Sequence, residues 1–494
     1  MGIVIRQSLK STFVNYVGVL LGIFVQFYIV TKYLDPTVIG LTKVIYDVAF
    51  LGSTLALLGL GSSGMRFFPY FKDEKTGNHG FLYYFLLVPT LGCVLTTVIY
   101  LFCKEPILGY FGKNSPEFNG FFYWVIPFLI ILTFWQVFEN YSNINMRIAI
   151  PKGIREVGMR LLMLVLYLLY AFQYIDVAGL VTGFLVCYGI CMVTTGVYSM
   201  HIGSRTLKHD WSYITPDLRK NFLRYSGFLI IAAVSGNIMS QLDVFMLSGV
   251  RGLYDAGIYT IVIYMAEIVN MPARNITPIS SPLAAEAMKD GDIEKAQGLY
   301  RQVSIHQLLA SSILLLLIWV NLDNIFALIP NGSRFEAGRI AVLFLGLSKV
   351  IYSTLNFGNI LISFSKYYYW TLIITVILTF VTIGTNLYFI PILGLSGAAL
   401  ATLITSLLSY AFQQYIVQRK LKSNPFSMAH VRMLVIVAIL FALNFAIPSM
   451  LQISPLLDAF VRSMVLALVG IVLVYYFNIS EQISWFIRTK ILGK

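Results

Sequence analysis

Charged and amide side chains set inside long apolar runs are the groups in this sequence that could do chemistry. Asp47, Glu139, Asp243, Glu267 and Lys349 are the deepest of them, and a central charge costs about 2.5–3.5 kcal/mol on membrane-insertion scales. Groups retained at that cost point to a path for an ion or a polar solute. Their neighbours recur at helical spacing. Lys43 stands one turn before Asp47, with Thr54 and Gly61 further along that face. Gln136, Glu139, Asn140, Asn143 and Arg147 share one side of a later run, and Asn237, Ser240, Gln241 and Asp243 mark another. Glu267, Asn270 and Arg274 form a fourth group, and Lys349, Ser353, Asn356, Asn359 and Ser363 a fifth. Near the start, Ser8, Ser11, Asn15, Gly18, Gly22 and Gln26 make a stripe of small and polar residues. Turned inward, such stripes line a hydrated cavity.

Each stripe has a second reading. Small and amide residues also bind helices to one another, so the groups of Asn15 and Asn237 read equally as lining or as glue. Arg66, Arg147 and Arg274 lie near helix ends and could extend to headgroups instead of holding an anion. His306 reads as interfacial. The expected substrate-binding set is Asn15, Gln26, Arg66, Asn140, Arg147, Asn237, Gln241, Asn270, Arg274, Lys349 and Asn356. Asp47, Glu139, Asp243 and Glu267 are the expected ion-coupling set. Nucleophile elbows, phosphate loops, zinc spacings and dinucleotide fingerprints are missing from the sequence, so no catalytic residue, metal or cofactor is expected beyond Na⁺ or H⁺ as a coupling ion. Cys93, Cys103, Cys187 and Cys191 read as small apolar packing residues.

The elements that must position these groups are membrane helices. The chain has 494 residues, 58% hydrophobic and 12% charged, with mean hydropathy +0.78; soluble chains carry about a quarter charged residues. Apolar stretches of the roughly 20 residues needed to span a bilayer recur from about 10–32 to about 457–477. The expected fold class is an all-α integral membrane protein of about fourteen transmembrane helices. The net charge of +13 suggests nucleic acid only until the basic residues are placed. Most of the 35 Lys and Arg fall on alternate connections, which fits the positive-inside rule with both termini cytoplasmic. Nucleic acid is therefore not an expected partner.

An internal duplication shows in the openings of four helices. Gly40 in Asp35-Pro36-Thr37-Val38-Ile39-Gly40 corresponds to Gly257 in Tyr254-Asp255-Ala256-Gly257, an offset of 217. Gly179 after Asp176 corresponds to Gly397 in Gly394-Leu395-Ser396-Gly397, an offset of 218. An even number of helices per copy gives two parallel lobes. The expected organisation is an N-lobe over residues 1–216, a C-lobe over 217–424, and two further spans with an interfacial helix over 425–494. Pro272, Pro278 and Pro282 predict a bend or unwinding at the end of the eighth span.

The turn Tyr33 to Gly40, the stretch Leu57 to Gly64 followed by Arg66, the Glu286 to Leu299 linker with Gly291-Asp292, and Gly394 to Ala399 carry a family resemblance. The chain resembles the polysaccharide transporter family, the O-antigen and repeat-unit flippases of the multidrug/oligosaccharidyl-lipid/polysaccharide (MOP) exporter superfamily. That resemblance implies two six-helix lobes around a cleft and alternating access. Its substrate would be an undecaprenyl-diphosphate-linked oligosaccharide, flipped across the bacterial cytoplasmic (inner) membrane. Arg66 and Arg274 match basic cleft positions of related flippases, and Asp47 and Glu267 depart from a purely cationic cleft. Expected partners are the lipid-linked glycan, membrane lipids, a polysaccharide polymerase and glycosyltransferases; the chain is expected to act as a monomer. A multidrug exporter of the same superfamily is the alternative. A polytopic glycosyltransferase or polymerase is a third reading, which the short outer connections disfavour, so the expectation is a transporter and not an enzyme.

Overall fold

The structure is a computed structural model that describes residues 17–73, 76–203, 213–447 and 454–479. Among these residues the elements are helical throughout. Ten helices are long and apolar enough to cross a membrane, and an eleventh span is formed by a bent pair. Two shorter apolar helices, α1 (Val17–Tyr33) and α18 (Met428–Asn444), and a helix over 149–171 complete the expected set of about fourteen.

Helix starts follow from local chemistry. Asp35 accepts a hydrogen bond from the Thr37 N–H at 2.9 Å, and Pro36 fills the first helical position of α2 (Pro36–Ala56). Asp176 caps α9 (Val177–Ile202) through the Gly179 N–H at 2.7 Å. Each carboxylate occupies an orphan donor of the first turn, worth about 1 kcal/mol. Thr215 with Pro216 opens α10 (Pro216–Arg251) in the same way, and Ser454 with Pro455 opens α19 (Pro455–Tyr476).

Two spans are interrupted. After α2 the backbone turns left-handed at Leu58 and Gly59, then resumes as α3 (Leu60–Phe71). The polar face expected to run from Lys43 to Gly61 is therefore divided at this break. In the eighth span, α11 (Leu253–Val269) and α12 (Met271–Asp290) meet at Asn270 with a bend of 48°. The break lies at Pro272, which starts α12. Pro278 and Pro282 stay inside the helix, so the unwinding expected around them sits a turn or two earlier. Proline costs little in a first turn, where its missing N–H has no intrahelical acceptor.

The repeat is legible in backbone packing. A Cβ on Gly40 would lie 2.0 Å from the Leu253 carbonyl oxygen, and a Cβ on Gly257 would lie 1.8 Å from that of Pro36. Residues 36 and 253 share the offset that relates 40 and 257. The contact is thus reciprocal, as a two-fold-related pair of helix openings requires, and only glycine allows so close an approach.

The chain divides into two compact units, Met1–Gly257 and Ile258–Lys494. Helix α10 packs within the first, although the repeat counts it as the first helix of the second copy. Its last carbonyls are satisfied from the connection after α4 (Phe81–Phe102). Asn114 donates to Gly249 O at 2.8 Å and Val250 O at 3.0 Å, and Ser115 to Ser248 O at 2.7 Å. In the second unit, α13 (Ile293–Val320), α18 and α19 share an apolar core of Leu308, Leu316, Ile436, Leu440 and Leu466.

Candidate functional site

In the first unit the polar groups gather where α2 meets α10. Asp47 is wholly buried and pairs with Lys43, one turn earlier on the same helix. Lys43 also donates to Gln241 Oε1 of α10 at 3.1 Å. One turn earlier on α10, Asn237 donates to Thr54 Oγ1 at 3.0 Å. The i,i+4 spacing puts amine and carboxylate on one face, and burial makes the pairing obligatory, because a lone charge there would cost several kcal/mol. Asp47 Oδ2 has no hydrogen-bond partner among the described residues. Asp243 is buried on the same helix as Gln241.

A second pair lies between α7 (Val125–Ile144) and the helix over 149–171. Glu139 accepts from Arg155 at 2.7 Å, and the Arg155 guanidinium lies over the Trp135 ring at 5.2 Å. Asn140 faces Gly61, its Nδ2 3.1 Å from where a Cβ would stand. Arg66 is exposed on α3, with its guanidinium 4.2 Å from the centre of the Tyr225 ring. Arg147 is exposed in the turn after α7, apart from these clusters. Gln26 is half-buried within a π-helical turn, Val25–Val30, of α1. Asn15 lies outside the described residues, as do Ser8, Ser11 and the expected interfacial helix after residue 479.

The second unit is organised around Glu267. One carboxylate oxygen accepts from Lys349 at 2.5 Å, and the other pairs with Arg274. Asn270 Nδ2 lies 3.4 Å from the same oxygen that Arg274 engages. Glu267 ends α11, Asn270 is the break, Arg274 begins α12 and Lys349 comes from α15 (Arg339–Ser363). The bend brings Glu267 and Arg274, seven residues apart, onto one carboxylate. Two cations on one anion leave the cluster with a formal charge of +1. Arg274 is more than half exposed and Lys349 about a quarter, so this excess charge is open to an incoming anion. Asn356 is half-buried two turns beyond Lys349 on α15.

One buried charge network was not singled out in the sequence. Asp458 and Arg462 of α19 pair at 2.7 Å; Asp458 accepts from Asn324 at 2.6 Å, and Arg462 donates to Asn444 Oδ1 at 2.9 Å. Its signal was the i,i+4 spacing of opposite charges, the same as that of Lys43 and Asp47. This network ties the ends of three helices together. Among the described residues no group of three or more His, Cys, Asp or Glu is placed to hold a metal.

With this arrangement in view, comparison with known proteins decides the family. Residues 8–288 match the family described as polysaccharide biosynthesis protein. The chain belongs to the polysaccharide biosynthesis protein family. No curated protein sequence matches it. Among solved structures, the lipid II flippase MurJ in an inward closed conformation superposes with a TM-score of 0.70 at 13% identity, covering 94% of this chain and 98% of that one. An inward-facing multidrug-resistance MATE transporter of the MOP superfamily gives 0.60 at 15% identity, covering 85% and 99%. The Vibrio cholerae MATE transporter VcmN gives 0.56 at 13%, covering 86% and 99%. This member of the polysaccharide biosynthesis family therefore has the MOP-superfamily fold, all-α and multi-pass, as the sequence predicted.

Proposed function

We propose that the protein is a flippase that carries an undecaprenyl-diphosphate-linked oligosaccharide from the cytoplasmic to the outer leaflet of the bacterial inner membrane by alternating access. The observation that carries this reading is the cluster of Glu267, Arg274 and Lys349: two cations on one carboxylate, at a helix break, in a family of polysaccharide biosynthesis. A diphosphate offers oxygens for both cations, and Glu267 holds them in place until it arrives. Asn270 and Asn356, together with Asn237 and Gln241 in the first unit, supply amide donors and acceptors for sugar hydroxyls. The two helices beyond the twelfth support the same reading, since the MATE structures cover 85–86% of the chain and MurJ covers 94%.

Asp47 is the group best suited to take up a coupling Na⁺ or H⁺. One of its oxygens is held by Lys43, and the other is buried without a partner among the described residues. Uptake of a cation there would compete with Lys43 and loosen its bond to Gln241 on α10, linking ion binding to helix contact.

In a strain lacking the gene, the wild-type protein should restore surface polysaccharide. Arg274→Ala and Lys349→Ala should not, while protein level and membrane insertion stay unchanged. Normal polysaccharide from both variants would sink the site. The likeness to MATE transporters favours a second reading, a multidrug exporter. Drug resistance on expression, with surface glycan intact in the deletion strain, would establish that reading instead.

A further inference from the structure

The first unit contains a cavity of about 290 Å³ between the second, fourth, fifth and sixth spans; Lys43 and Asp47 do not line it, although Lys43 Nζ lies 5.6 Å from the centre of its Tyr46 ring. Its walls carry Tyr46 and Phe50 of α2, Trp135 and Gln136 of α7, Arg155 from the helix over 149–171, and Tyr188 of α9. We propose that this cavity is a binding site for a single uncharged pyranose ring, a sugar of the glycan; the proposal rests on the flippase reading and gives it a carbohydrate subsite.

Chemistry sets the ligand class. The aromatic walls are organised: Tyr46 stacks on Phe50 with ring centres 5.8 Å apart, and Tyr188 meets both Tyr46 and Trp135. Aromatic faces carry negative potential and attract the weakly positive C–H groups that line one side of a pyranose. Hydrogen-bonding groups of both kinds stand beside them. Gln136 spends its NH₂ group on Ser53 Oγ at 3.0 Å and Leu132 O at 3.3 Å, which leaves its carbonyl oxygen to accept. Trp135 is 4% exposed, and its indole N–H is buried with no hydrogen-bond partner among the described residues. A buried donor left unpaired is unfavourable, and a small turn of the indole toward the cavity would pair it with a ligand hydroxyl.

Charge argues against the other classes. Aromatic walls alone would also suit an organic cation, but the Arg155 guanidinium already lies over the Trp135 ring at 5.2 Å and takes that face. An anionic ligand is not favoured either, because Arg155 is already neutralised by Glu139 at 2.7 Å. The volume is at the small end of the roughly 300–1,000 Å³ found for ligand pockets, so one ring fits and an oligosaccharide does not.

The test is saturation-transfer NMR on the purified full-length protein in lipid nanodiscs, with methyl glycosides of neutral hexoses, N-acetylhexosamines and uronic acids as probes and rhodamine 6G as the cationic control. At least one neutral glycoside should receive saturation on its ring C–H protons. Loss of one hydrogen bond, about 0.5–1.5 kcal/mol, should weaken binding roughly two- to tenfold in Trp135→Phe and in Gln136→Leu. Tyr188→Leu should weaken it further, and Tyr188→Phe, which keeps the ring, less. Saturation transfer to no neutral glycoside, or transfer unaffected by all four variants, would overturn the proposal. Binding confined to uronic acids, or a rhodamine signal abolished by Tyr188→Leu without a glycoside signal, would overturn it too. These readouts do not involve transport. A failure here therefore leaves the role of Arg274 and Lys349 standing, and normal polysaccharide in those variants leaves the glycoside result standing.

Discussion

The charge clusters of the two units solve different problems. Lys43 and Asp47 form a closed pair: one cation, one wholly buried anion, and a bond to Gln241 that fixes the amine. Glu267 is shared between two cations, both partly exposed. A buried pair loses most of its worth when either member goes, since the survivor is left uncompensated. In a three-membered cluster one cation can go and the carboxylate still has a partner, although the excess positive charge goes with it. In the transport cycle proposed above, the first would hold until a small cation competes for it, and the second would receive an anion.

Substitutions can break or sharpen this contrast. The largest stability effect is expected from Lys43→Met, which strands Asp47 and should cost about 3–5 kcal/mol. Thermal unfolding of the purified protein would show it, and Lys43→Met with Asp47→Leu should recover most of the loss; no recovery would mean that the pair is not the unit of stability. Next come Gly40→Ala and Gly257→Ala, each pressing a methyl against a backbone carbonyl at a cost of about 1–3 kcal/mol. Because the contact is reciprocal the two should lower the midpoint by similar amounts, and clearly unequal losses would argue against a two-fold crossing. Lys349→Met should cost less than Lys43→Met, about 1 kcal/mol, because Arg274 still neutralises Glu267, which is about a quarter exposed, yet it should abolish surface polysaccharide. A variant as unstable as Lys43→Met, or one that still transports, would remove the distinction between the clusters. Smallest is Arg66→Leu, which gives up a surface cation–π contact with Tyr225 worth about 0.5–1 kcal/mol.

The membrane class, the helix count and the duplication were legible in the sequence because each rests on one-dimensional signals: apolar run length, the side on which basic residues fall, and a recurring glycine. Lys43 and Asp47 could be paired from spacing alone. Glu267 and Lys349 could be singled out as costly charges, but their partnership joins helices far apart in sequence and depends on the bend at Asn270. Proline marked that bend only roughly, since Pro272 starts the new helix while Pro278 and Pro282 remain within it. Arg155 looked like a basic residue at a helix end, and nothing local reveals that it reaches Glu139. The aromatic cavity draws one or two residues from each of four helices and leaves no periodic trace.

The crossing of Gly40 and Gly257 bears on how the two copies have diverged. Each copy's glycine is held bare by the other copy's main chain, so a side chain gained in one would have to be accommodated by a shift in both. That mutual veto arrests drift at the crossing. One turn along, at the same offset of 217, Lys43 stands opposite Thr260 in the repeat, and Asp47 opposite Tyr264. Ancestral symmetry survives at this frozen joint, and one turn beyond it each half has been free to take up a chemistry of its own.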